Sequence, residues 1–194
     1  MCVLGSEALF AKLRSGEIFC SPKIEDVQLQ GSHIDVRLGR WYYTPSLGYL
    51  IRHGFRVDLA TLDPSALWKL RDSHDTGGQV IIPPWGPVLA HTEEFLGSTV
   101  CHLQTKLETR SSIARSYGIG VHTAAGQGDP GFHGRWTLEI WSSGWGWKTI
   151  PVGVRVGCVM FSTVLDNTVL YTDRYQTTPA TWAPQTMLPR PIAF

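Results

Sequence analysis

The sequence predicts a mainly β fold, a barrel or sandwich, in one domain spanning residues 1–194. Three observations carry this. Short strand-like runs recur with Pro or Gly turn signals about every 8–12 residues. Helical spacing is confined to a few short segments. The chain end, "TTPATWAPQTMLPRPIAF", holds four prolines in 18 residues and cannot continue a sheet, so residues 176–194 are expected to form an extended tail.

In chain order, "SEALFAKLRS" (6–15) opens on Ser6 as a cap, spaces Leu9, Phe10 and Leu13 for a helix, and stops at Gly16. In "GSHIDVRLG" (31–39), Ile34, Val36 and Leu38 alternate with Asp35 and Arg37, which predicts a half-buried strand. "WYYT", "GFRVDL", "QVIIPP", "PVLAHTEEFL" and "TVCHLQTKLETR" are further strand-like runs. "DPSALWKLRDS" suits one or two helical turns, and "RSSIARSYG" a short helix ending at Gly118. "RWTLEIWSS", "WKTIPV" and "RVGCVMFSTVL" complete the strands.

Composition excludes several classes. With 17 basic and 16 acidic side chains the formal charge is +1, so neither nucleic acid nor an anionic membrane is an expected partner. Cysteines 2, 20, 101 and 158 are far apart, without a C-x-x-C, and suggest a reducing compartment. No run approaches 18 apolar residues and the N-terminus lacks a signal-peptide pattern; the expected location is the cytoplasm. The eight tryptophans are expected in core and interface packing. The seven histidines show no paired metal spacing. There is no phosphate-loop motif, no G-x-S-x-G, no H-E-x-x-H, and no H-x-E with P-C-x-x-C of the zinc deaminases.

Three passages carry possible chemistry. Strand alternation in "RWTLEIW" puts Trp136, Leu138 and Ile140 on the core face and Arg135, Thr137, Glu139 and Trp141 on the other. A lone carboxylate among bulky aromatics is suited to shuttle a proton; the plainer reading is a surface Glu139 paired with Arg135. "RSSIAR" places Arg110, Ser111, Ser112 and Arg115 at the start of a helix, either a phosphate cradle or an ordinary capped surface helix. "AAGQGDPGF" has glycines at 126, 128 and 131, allowing close approach of a ligand or forming a long hairpin loop, with Asp129 a turn residue or a sugar-hydroxyl acceptor.

Taken together, "GSHIDVRLG", "LETRSSIARSYG" (107–118) and "VHTAAGQGDPGFHGRWTLEI" (121–140) closely resemble the dCTP deaminase family of the dUTPase-like superfamily, with lesser support from "IIPPWGPVLAHTEE" (81–94) and "DRYQ" (173–176). The resemblance implies a distorted dUTPase-like β-barrel with a few short helices. It implies a homotrimer with active sites between subunits, and hydrolytic deamination of dCTP to dUTP and ammonia. Zinc is not expected; Mg2+ would arrive bound to the triphosphate, and dTTP is a candidate inhibitor. The family's general acid/base falls on Glu139. Ser111, Arg115 and the carbonyl of Ala125 would hold the attacking water. Arg110 and Ser112 would bind phosphates, Asp129 the deoxyribose, the main chain at Thr137 and Leu138 the base edge, and Phe132 would pack under the sugar. Tyr171, Arg174 and Gln176 would form a closing segment.

Departures from the family pattern qualify this. Two residues separate Arg115 from Gly118 where one is usual, leaving Ala124 as the alternative to Ala125. Gln127 and Gly128 precede Asp129 in place of an apolar residue, which predicts a looser turn. Arg174 stands where the family has Lys, and Thr178 where it has Gln. Cys158 in "VGCVMF" occupies a position that is often Gln in relatives that also cleave the triphosphate, and so favours deamination alone. The alternatives are a dUTP diphosphatase or a bifunctional enzyme giving dUMP, and a non-catalytic nucleotide-binding trimer.

Overall fold

The computed structural model describes residues 2–58, 62–121, 126–166 and 168–189. The first half comprises β1 (Cys2–Val3), α1 (Ser6–Ser15), β2 (Ile18–Ser21), β3 (Leu29–Gln30), β4 (His33–Arg37), β5 (Trp41–Pro45), α2 (Leu47–Arg52), α3 (Pro64–Leu67), β6 (Trp68–Asp72) and β7 (Gln79–Ile82). Then come β8 (Pro87–Ser98), β9 (Leu103–Thr109), α4 (Ser111–Tyr117), β10 (Ile119–Gly120), β11 (Gln127–Gly128), β12 (His133–Ser142), β13 (Lys148–Pro151) and β14 (Arg155–Thr163). Among the described residues, no helix is long and apolar enough to cross a membrane.

Most strands fall where alternation predicts them, and the exceptions have local causes. Helix α1 is capped by Gly5 rather than Ser6, with no side-chain cap bond, and ends at Gly16 in the left-handed region. The run "GFRVDL" forms no strand over its described residues: it follows α2 with a turn, with Phe55 at φ 58° and 68% exposed, and Phe55 and Val57 find no face to cover. Only Trp136 of the eight tryptophans is in the core, whereas Trp85, Trp141, Trp145 and Trp147 are exposed.

Two six-stranded antiparallel sheets surround one core. The first runs β11-β9-β14-β4-β3, with β1 also on β14; the second runs β10-β12-β8-β5-β6, with β2 also on β8; β13 and β7 form a separate ribbon. Ile34, Val36, Leu107, Val159 and Phe161 of the first sheet meet Val88, Ala90, Leu96, Leu138 and Ile140 of the second. Burying each such side chain contributes about 1.5–3 kcal/mol. Among the described residues the ladders of the two sheets are joined by a single bridge, Leu38 to Thr92, so they enclose the core without a continuous ring; this is a distorted barrel.

The bridge coincides with a bulge in β8. Arg135 pairs with Phe95 and Thr137 with His91, so residues 92–94 bow out of the ladder. Thr92 Oγ1 accepts the free Trp136 N–H at 2.9 Å. Glu94 turns inward, fully buried, and accepts from the Arg37 N–H at 2.8 Å, Arg37 Nε at 2.7 Å and Gln28 Nε2 at 2.8 Å.

The chain end differs from the extended tail expected of it. It adds no strand among the described residues, but it folds back on the barrel, with a 3-10 turn at Pro184–Met187. Met187 is buried in a second apolar cluster with Tyr43 and Leu89, packed by Trp41, Trp68 and Trp182. Apolar residues between the prolines supply the driving force that no ladder could.

Candidate active site

A cavity of about 520 Å³ opens where the non-core face of β12 meets the β11–β12 turn and the folded tail. Thr137 and Glu139 project onto it because β12 alternates as predicted, with Trp136, Leu138 and Ile140 buried behind. Glu139 lies opposite Leu89, and Leu89 opposite Tyr43, so the carboxylate sits where a polar wall meets an apolar floor.

Asp129 and Phe132 enter from the turn. Phe132 donates its N–H to the Asp129 carbonyl at 2.9 Å, and its ring meets Trp136 and Tyr171 edge-on at 4.9 and 5.5 Å. This turn is not loosened by Gly128. Gly128 is laddered to Thr105, and a Cβ there would lie 2.3 Å from Thr105 Oγ1 and 2.6 Å from the Trp136 ring. Only glycine lets the main chain pass that close.

The surface pairing of Glu139 with Arg135 is not formed. Arg135 lies between the rings of Phe95 and Trp182, at 4.7 and 4.4 Å, donates to the Glu93 carbonyl at 3.3 Å and pairs with the Glu93 carboxylate at 3.8 Å. Burial lowers its pKa from the usual arginine range. Glu139 has no ion pair among the described residues, which leaves its oxygens open to the cavity.

Below Trp182 lies His91, its ring 4.5 Å away. Nδ1 faces the Thr92 carbonyl at 2.7 Å, and Nε2 accepts the Trp41 N–H at 3.1 Å. That pattern requires a neutral ring protonated at Nδ1, and burial pushes its pKa down to about 3. A Cβ on Gly39 would fall 2.0 Å from this ring. His91 therefore supports the cavity floor as an uncharged plate.

The remaining expected site residues lie on α4, in the tail, in β12 and in the β10–β11 connection. Helix α4 presents Ser111, Ser112 and Arg115 to solvent, with Arg115 Nη2 3.5 Å from Ser111 Oγ, and buries only Ile113. None of these lines the cavity, and neither does Arg110. In the tail, Tyr171 lines the cavity, but Arg174 turns to the Leu188 carbonyl at 3.3 Å and Gln176 to the His133 ring at 3.2 Å. Leu138 is wholly in the core, leaving only its main chain to face a ligand. Ala125, with Ala124, lies outside the described residues. Cys158 is half-buried between β4 and β9, opposite Asp35 and Glu108, and burial raises its thiol to about 11.

Residues that sequence reading missed are Tyr175, Thr177, Trp182 and Met187 of the tail with Trp68 and Leu89 of the sheet, all on the cavity wall. Their signal was faint: apolar residues set between prolines that could not be strand.

A family model described as dCTP deaminase-like matches residues 3–164. The chain belongs to the dCTP deaminase-like family. The match runs from β1 through β14 and stops before the tail. A protein of Methanothermobacter thermautotrophicus named "dCTP deaminase, dUMP-forming" is 33% identical over 174 residues, covering 84% of this chain and 80% of its own. Proteins of the same name from Methanobrevibacter smithii and Coprothermobacter proteolyticus are each 31% identical, covering 84% and 85% of this chain and 81% and 84% of their own. The crystal structure of 2'-deoxycytidine 5'-triphosphate deaminase from Agrobacterium tumefaciens superposes with a TM-score of 0.58 at 15% identity, over 82% of this chain and 46% of that one, and supports the fold. Among the described residues, no group of three His, Cys, Asp or Glu converges as a metal-binding set.

Proposed function

We propose that this protein deaminates dCTP and cleaves its triphosphate, releasing ammonia, pyrophosphate and dUMP. The observation that carries the reading is Glu139, a carboxylate free of Arg135 on the wall of a cavity that also holds Asp129, Phe132 and Tyr171. Relatives of comparable length named as dUMP-forming favour the bifunctional product over dUTP, against the inference from Cys158.

Glu139 takes a proton from a water as the water oxygen bonds to cytosine C4 and delivers it to N3, then takes the remaining proton of the new C4 hydroxyl and delivers it to the exocyclic nitrogen. The C4–N4 bond breaks, and ammonia leaves a uracil ring. The main chain at Thr137 and Leu138 reads the base edge, Asp129 the sugar hydroxyl, and Phe132 packs beneath the sugar. Ser111, Arg115 and the carbonyl of Ala125 align the water, and positioning of this kind supplies much of the rate enhancement. Arg110 and Ser112 hold phosphates, and Mg2+ enters with the triphosphate it neutralises. For dUMP, a second water adds to the α-phosphorus and pyrophosphate departs.

Because α4 and the Glu139 cavity do not share a lining in one chain, Ser111 and Arg115 of a second copy complete each site in a homotrimer. Incubating the purified protein with dCTP and Mg2+, then resolving nucleotides by anion exchange, tests the chemistry. The expected products are dUMP and pyrophosphate. A dUTP peak alone would restore the deaminase-only form, and unchanged dCTP would remove the deaminase reading.

A further inference from the structure

Asp35 is a fully buried carboxylate on the face of β4 opposite the core residues Ile34 and Val36. A buried charge needs partners, since desolvation costs several kcal/mol. Its partners are uneven. Oδ2 accepts from Arg155 Nη1 at 3.0 Å and lies 3.3 Å from Arg110 Nε, whereas Oδ1 has no hydrogen bond among the described residues and only His33 Nε2 near it, at 3.6 Å.

Arg155 alone would serve a structural pair, because it also ties Asp35 to the Val27 carbonyl at 2.6 Å. Arg110 has a different place. It is the residue before α4, its N–H is fixed to the Val156 carbonyl at 3.1 Å, and its own carbonyl receives the Ile113 and Ala114 N–H groups. The backbone is therefore clamped on both sides. Nε is the guanidinium nitrogen set beside Asp35, and neither Nη has a hydrogen-bond partner among the described residues. A guanidinium held by Nε offers its outer edge for a bidentate contact with a phosphate.

We infer that Asp35 is a positioning residue that fixes the Arg110 guanidinium for the phosphates of the nucleotide. This rests on the reading of Arg110 as a phosphate ligand under Proposed function. Asp35 touches no substrate; it acts through Arg110.

The test is a double-mutant cycle on binding, in a Glu139→Gln background so that dCTP is not consumed, with deoxycytidine as the phosphate-free control. Arg110→Ala and Asp35→Asn are each expected to weaken dCTP binding about tenfold. The double variant is expected to bind as Arg110→Ala does, and deoxycytidine binding to be unchanged throughout. If Asp35→Asn leaves dCTP affinity intact, or weakens it further when Arg110 is already gone, the positioning role is overturned. Equal loss for deoxycytidine would show a general structural effect and overturn it too. Should Asp35→Asn fail to fold, Arg110→Lys decides. Lysine keeps the charge but has no Nε–H fork, so the loss should match Arg110→Ala, and wild-type affinity would contradict the proposal. If Arg110→Ala itself leaves dCTP binding unchanged, the phosphate-ligand reading of Arg110 fails first.

Discussion

Replacing Glu139 with Gln should lower dCTP turnover about 10²–10⁴-fold, the range for losing a positioned general acid/base, while dCTP still binds. The side chains are nearly equal in volume, and Glu139 has no ion pair among the described residues that the change would break. Leu89 opposite it and Leu138 behind it stay packed. An amide cannot take a proton from water and return it to the ring. Steady-state rates with calorimetric binding check both halves. A variant with near-wild-type turnover would mean that another group moves the proton.

The largest stability effect is expected at Glu94, which no part of the proposed chemistry uses. Its oxygens receive three donors inside the β8 bulge, two from Arg37 and one from Gln28. Glu94→Ala leaves those donors without their buried acceptor, one of them on the Arg37 guanidinium, which is 22% exposed, and removing one member of a buried pair costs about 3–5 kcal/mol. Urea unfolding should show the midpoint falling with little change in slope. A loss under about 1 kcal/mol would show that Arg37 finds compensation in Glu25, its other partner at 2.8 Å.

Strand β12 was legible because alternation is a local signal: seven residues sufficed to separate Trp136, Leu138 and Ile140 from Thr137 and Glu139. Helix α4 was legible through its Gly118 stop, now seen at φ 60°. What sequence could not show depends on partners distant in the chain. Trp182 and Met187 find their places only against Trp41, Tyr43 and Leu89, and no periodicity links them. The burial of Asp35 was hidden because its covers, Arg110 and Arg155, belong to other elements. Core packing accounts for four of the tryptophans, Trp136 in the main core and Trp41, Trp68 and Trp182 against the second cluster. A tryptophan count says nothing of position, and Trp145 and Trp147 lie in or beside the turn between β12 and β13, exposed to solvent.

The central claim is that each active site joins the Glu139 cavity of one chain to the α4 residues of another. Glu139→Gln and Arg115→Ala proteins, each inactive alone, can be unfolded, mixed in equal amounts and refolded together. If each site takes one residue from each of two chains, random reassembly restores about a quarter of the wild-type dCTP turnover. If both residues of a site came from the same chain, every site in the mixture would carry a lesion, and the absence of any recovered turnover would contradict the account.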